Sequence, residues 1–100
     1  MGRGSRLRPR RLAEKLTQIR SNFGLSQNEI ISRLGLEDVL IREDISAFER
    51  GVREPPLPIL LRYAQTAGVS TDVLIDDKLN LPKRLPAAPK YRMGIRASNS

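Results

Sequence analysis

The chain has no cysteine and no histidine. No thiolate or imidazole is therefore present to hold zinc, to act as a catalytic nucleophile, or to complete a Ser-His or Cys-His pair. No disulfide framework can form either, and a soluble intracellular protein is the default expectation. Long apolar runs are missing too: the longest, such as Leu57 to Leu61, fall far short of a bilayer span. The N-terminus is basic with no apolar stretch behind it, which argues against a secretory signal peptide. A length of 100 residues leaves room for one small domain plus tails and excludes a large enzyme scaffold. The expectation is a protein with no catalytic residues, no metal and no cofactor.

What the chain does have is positive charge, a formal +7, and this suggests a polyanion as partner. The charge is confined to the ends. Arg3, Arg6, Arg8, Arg10 and Arg11 crowd the first eleven residues, and Lys78, Lys83, Arg84, Lys90, Arg92 and Arg96 lie beyond Asp77. Every acidic residue falls between Leu12 and Asp77, so the middle of the chain is net negative. Residues 1–11 are rich in Gly, Arg and Pro with hardly an apolar side chain, a composition that reads as a flexible basic arm. Residues 78–100 contain Pro82, Pro86 and Pro89 and few core residues, and read as a second basic arm with no stable fold. The domain is expected at 12–77.

Within it the apolar residues recur at helical spacing. Leu12, Leu16, Ile19 and Phe23 mark a first helix over about Leu12 to Asn22, with Gly24 as its stop. Ser26 followed three residues later by Glu29 is a capping box that opens a second helix. Its apolar face is Ile30, Ile31 and Leu34, and Gly35 ends it. Ile45 and Phe48, three apart, belong to a short polar third helix over about 42–50 that closes at Gly51. The three prolines between Arg53 and Pro58 make a rigid extended link. Leu60, Leu61, Ala64 and Ala67 then mark a fourth helix ending at Gly68. Ser70 or Thr71 can cap a fifth that contains Val73, Leu74 and Ile75. No segment reads as a strand, so the predicted fold is all-α.

Five short helices with LSQNEIISRLG as the second and REDISAFERG as the third resemble the phage repressor and Cro-like helix-turn-helix family, also called the xenobiotic-response-element type. The resemblance spans about Leu12 to Asp76. It rests on Arg20, on Leu25-Ser26-Gln27, on Ile45-Ser46, on Glu49-Arg50-Gly51 and on Ala67-Gly68-Val69-Ser70. It implies a compact five-helix lambda-repressor-like domain that binds double-stranded DNA, with the third helix in the major groove. On the same basis Arg20 and Glu49 form a buried ion pair between the first and third helices. Gln27, Arg50 and Arg53 face phosphates, and the base-reading positions are Arg42, Glu43, Ser46 and Ala47. Arg42 suits a guanine edge, Glu43 a cytosine amino group and Ala47 a thymine methyl. Glu43 and Asp44 have a second reading as first-turn acids that favour the positive end of the helix dipole. Arg3, Arg6, Arg8, Arg10 and Arg11 would wrap the DNA, since each phosphate neutralised adds to affinity and an Arg-rich arm suits a narrow minor groove.

Two departures from the family pattern stand out. Ten steps separate Gly35 from Ile45, so the connection from Leu36 to Ile41 is longer than the compact turn usual in the family. Ile31 stands where a small residue is usual. The functional expectation is a small bacterial or phage transcription regulator, cytoplasmic and nucleoid-associated, with no membrane partner. A homodimer is expected because one short reading helix makes few base contacts. The alternative is a DNA-binding antitoxin, or another interaction protein, whose C-terminal tail folds onto a protein partner.

Overall fold

A computed structural model describes residues 7–87 of the chain. Five helices follow one another: α1 (Leu12–Phe23), α2 (Gln27–Leu34), α3 (Arg42–Glu49), α4 (Leu57–Ala67) and α5 (Thr71–Ile75). No strand occurs among the described residues, so the fold is all-α, as the apolar spacing predicts.

Local chemistry sets most of the boundaries. The Ser26 hydroxyl accepts the Glu29 backbone N–H at 3.1 Å, and the Glu29 carboxylate accepts the Ser26 N–H at 2.8 Å. Both halves of the predicted capping box are thus made, and they hold the Glu29 carboxyl below its ordinary range through the Ser26 backbone and hydroxyl bonds. At the other end of α2, Gly35 adopts φ +73, a left-handed conformation in which an L side chain is strained. Arg62 from α4 completes that end by donating to the Leu34 carbonyl at 2.8 Å. Pro58 sits in the first turn of α4, where its missing N–H costs nothing. Ser70 precedes α5 but makes no side-chain cap bond.

The core is aliphatic apart from Phe48 and Tyr63. Leu16 and Ile19 of α1, Ile30 of α2, Ile45 of α3, Tyr63 and Ala67 of α4 and Leu74 of α5 are fully excluded from solvent. One buried residue breaks the pattern. Lys15 lies on the inner face of α1 with no exposure, and its ammonium donates to the Val73 and Asp76 carbonyls at 2.8 and 3.0 Å. These are carbonyls of the last turn of α5 and of the residue beyond it, where a cation suits the negative end of the helix.

The long connection between α2 and α3 is a single tight turn, with Val39 and Leu40 N–H groups donating to the Leu36 carbonyl at 3.0 and 2.9 Å. Leu36 and Leu40 point inward and are buried, while Val39 and Ile41 between and after them are exposed. Ile31 is also buried, and with Leu40 it lines a hollow between the two helices. The connection thus brings Leu36 and Leu40 to the core, with Leu40 beside Ile31 of α2.

Packing and hydrogen bonding continue beyond Leu12 and Asp77 at both ends. Leu81 and Leu85 belong to the core, at 7% and 1% exposure, and Ala87 donates to the Ala67 carbonyl at 3.2 Å. That return brings the Ala87 backbone within 3.0 Å of where a Cβ on Gly68 would stand. The Asp77 carboxylate accepts the backbone N–H groups of Arg10 and Arg11 at 3.0 and 3.1 Å, and the Arg11 guanidinium donates to the Asp77 carbonyl at 3.0 Å. Prolines at 82 and 86 stop a helix from forming without stopping leucines from being buried. Arg3 and Arg6, and the tail from Ala88 onward, lie outside the described residues.

Candidate nucleic-acid interface

α3 has only eight residues and buries two large apolar side chains, Ile45 and Phe48. So small a contact leaves its orientation to polar fastenings, and three are present. The first is at its C-terminal end. Arg20 on α1 meets Glu49 in a two-point arrangement, Nε to Oε2 at 2.7 Å and Nη2 to Oε1 at 2.9 Å. The Glu49 side chain is 7% exposed and that of Arg20 22%. The remaining Arg20 nitrogen, Nη1, donates to the Leu25 carbonyl at 3.0 Å, which ties the same clamp to the start of α2. Hydrogen bonding to Glu49 outweighs partial burial and raises the Arg20 pKa. Tyr63 lies close enough to feel both charges, and burial pushes its phenol upward. Its hydroxyl is buried without a hydrogen-bond partner among the described residues.

The second fastening is at the N-terminal end. Ile41 has the extended backbone of an N-cap and no side-chain acceptor. Asp44 supplies the reciprocal contact, accepting the Ile41 N–H at 2.9 Å. This is the second half of a capping box without the first. Bonds from the Ile41 backbone and then from Arg53 hold the Asp44 carboxyl below its usual range. The two acids of the first turn therefore have different surroundings: Asp44 is the cap, whereas the Glu43 side chain is 70% exposed and pairs with Arg42 at 3.6 Å.

The third fastening joins α3 to the loop that follows it. Arg53 pairs with Asp44, and its guanidinium lies over the Phe48 ring at 5.1 Å from the centroid. The loop and the first turn of α3 are thus closed on each other.

The candidate contact residues fall into two groups. Arg42 and Glu43 project from the start of α3 and are largely solvated, and Ser46 and Ala47 lie half-buried one turn on. Ser46 and the phosphate candidates have partners within the protein. The Ser46 hydroxyl accepts from Arg50 Nε at 3.1 Å, Gln27 donates to Glu49 at 3.3 Å, and Arg53 is held by Asp44. Of the arm residues, Arg8 pairs with Glu54 at 2.9 Å, Arg10 is exposed apart from its bonded backbone, and Arg11 is engaged with the chain around Asp77. The residues that sequence reading passed over are Asp44 as the partner of the Ile41 backbone, Glu54 as the partner of Arg8, and Lys15, Arg62 and Asp77 as fastenings. Only Asp44 left a local mark, because it follows Ile41 at the spacing by which Glu29 follows Ser26.

No group of three or more potential metal ligands occurs among the described residues. None of the described helices is long and apolar enough to cross a membrane. The exposed chemistry is that of hydrogen-bonding and charged side chains on a short, firmly oriented helix, and α2 meets α3 through the turn at Leu36 to Ile41. No curated protein and no solved structure matches the chain. A family does: the description of the helix-turn-helix domain matches residues 13–79. That match covers α1 through α5, and with the α2-turn-α3 unit clamped by Arg20 and Glu49 it shows that the chain belongs to the helix-turn-helix domain family, a DNA-binding and non-enzymatic kind.

Proposed function

We propose that the chain is a sequence-specific binder of double-stranded DNA of the phage repressor and Cro-like type, a small transcription regulator that occupies its operator sterically. The observation that carries this reading is the orientation of α3. One side is packed through Ile45 and Phe48 and clamped through Glu49, which leaves Arg42 and Glu43 exposed at the leading end. In the major groove Arg42 would pair with a guanine edge, Glu43 would accept from a cytosine amino group, Ser46 would bond a base and Ala47 would touch a thymine methyl. Gln27 stands at the N-terminus of α2, where backbone N–H groups favour a phosphate. Arg50 and Arg53 flank the other end of α3, and a phosphate there competes with Ser46 and Asp44 for them.

The first-turn acids and Glu49 make α3 weakly attractive to DNA over long range, so much of the affinity is assigned to the arms. Arg8 is bonded to Glu54 next to Arg53, which places the start of the arm beside the phosphate-facing loop. Arg3 and Arg6 precede Arg8 in the sequence. Binding as a homodimer to two half-sites about one helical turn apart would supply the contacts a single short helix lacks.

Selection of bound duplexes from a random pool at two salt concentrations tests the reading. A shared sequence with paired half-sites is the expected result, and a pool without enrichment overturns it. Removing residues 1–7 spares the Arg8, Arg10 and Arg11 contacts, and is expected to flatten the dependence of affinity on salt by about 0.9 for each phosphate no longer neutralised. An unchanged slope would take Arg3 and Arg6 out of the interface.

A further inference from the structure

We infer that Ile41 is a specificity-determining residue that reads the 5-methyl group of a thymine next to the base contacted by Arg42. The inference rests on the proposed placement of α3 in the major groove, and it adds a residue and a chemical class to that reading.

Ile41 does no visible work for the fold. It precedes α3 with extended backbone, φ −118 and ψ 169, and its side chain makes no cap bond. Isoleucine is among the poorest N-cap residues, and here Asp44 takes over the capping contact through the Ile41 backbone. The side chain is not in the core either, since Ile41 is 62% exposed while Leu40 before it is 7% exposed. A β-branched apolar residue thus stands in solvent at the leading end of the helix that carries Arg42 and Glu43.

Its surroundings match a groove edge. Ile41, Arg42 and Glu43 form the α3 rim of the hollow between α2 and α3, the buried Ile31 and Leu40 and the turn's Glu37 line it, and Asn28 and Ser32 form the α2 rim. Both α2 residues are exposed and polar. A surface that sets one exposed apolar group among a guanidinium, two carboxylates and two neutral hydrogen-bonding side chains corresponds to what the major groove presents. There a single apolar feature, the thymine methyl, lies among hydrogen-bonding atoms, and no other unmodified base carries it. Because the Ile41 backbone is pinned by Asp44, its side chain is presented from a fixed point, and the methyl it meets is one step from the base of Arg42.

The test uses a duplex recovered by selection from the random pool. Each thymine is replaced in turn by deoxyuridine, which removes the methyl and nothing else, and binding is measured for the full chain and for Ile41→Ser. At one thymine per half-site the replacement is expected to weaken the unaltered protein about fourfold, the worth of one buried methyl. Ile41→Ser is expected to bind the thymine and deoxyuridine duplexes equally at that position. Serine is a better N-cap, so the variant should melt at the same or a higher temperature.

Three results overturn the inference while leaving the proposed function standing. They are insensitivity to deoxyuridine at every position, equal sensitivity in Ile41→Ser, and a lowered melting temperature that gives Ile41 a structural role. Loss of self-association in Ile41→Ser with unchanged methyl sensitivity would instead assign the side chain to a protein contact, and would overturn it as well. Failure to select any sequence overturns the placement of α3 itself.

Discussion

Lys15 donates from its ammonium to the carbonyl oxygen of Val73 at 2.8 Å, and through this contact α1 closes the end of α5. A helix of five residues with no side-chain cap bond at its start is too short to persist alone. Its stability comes from Leu74 in the core and from this ammonium, which is shared with the Asp76 carbonyl. Lys15→Met keeps most of the apolar stem and removes the donors. It is expected to destabilise the domain by about 2 kcal/mol, the range for a hydrogen bond to a charged group, as read by urea denaturation. A loss below a few tenths of a kcal/mol would mean that the α5 carbonyls are satisfied without it.

The Arg20 and Glu49 pair calls for a different measurement, because removing one partner strands the other. Glu49→Ala leaves the Arg20 guanidinium only the Leu25 carbonyl and its remaining exposure. A cost of about 3 kcal/mol is expected, near the low end for a broken buried pair because Arg20 retains some access to water. Arg20→Ala should cost a similar amount. The double variant should cost clearly less than the sum, and additivity within about 0.5 kcal/mol would show that the two charges do not interact.

How the ends of α3 are held also shows what the sequence reveals and what it hides. Boundaries written in local chemistry were legible: the Ser26 and Glu29 box, the glycines after α1, α2 and α4, and the helical spacing of Leu12, Leu16 and Ile19. Contacts between distant residues leave no periodic trace. Asp77 binding the backbone of Arg10, and Lys15 reaching Val73, join residues more than fifty positions apart through groups that read as surface charges. The exposed positions Arg42 and Glu43 were found through the family resemblance. The local partners of Arg50, Arg53 and Gln27 became visible only once the loops were placed.

Three carboxylates with local or long-range partners set the acid response. Asp77 is held below its ordinary value by the backbone bonds of Arg10 and Arg11, Asp44 by the Ile41 backbone and the Arg53 guanidinium, and Glu29 by the Ser26 backbone and hydroxyl. A carboxyl whose folded pKa is depressed binds protons more tightly in the unfolded chain. Its contribution is complete above the unfolded pKa, about 4, and is lost as pH falls through the folded value. The melting temperature is therefore expected to be flat near neutrality and to fall as pH drops below about 4. Asp77→Asn should lower it at neutral pH and reduce the steepness of the acid limb. An acid limb as steep in the variant as in the parent would remove Asp77 from this account.

Leu85 decides where the domain ends. It is 1% exposed in a segment without regular secondary structure, and nearby Ala87 is tied to the Ala67 carbonyl. An apolar side chain so completely enclosed belongs to the cooperative unit, whatever the backbone around it does. Leu85→Ala should then cost about 2–4 kcal/mol, in the range for leucine truncation within a core. Ending the chain after Asp77 removes Leu81 as well and should cost more. The comparison between the two separates packing from charge, because Leu85→Ala keeps Lys78, Lys83 and Arg84. If the shortened chain unfolds at the same urea concentration as the full one, Leu81 and Leu85 only rest on the domain; a marked loss in both variants makes residues 81–87 part of its core.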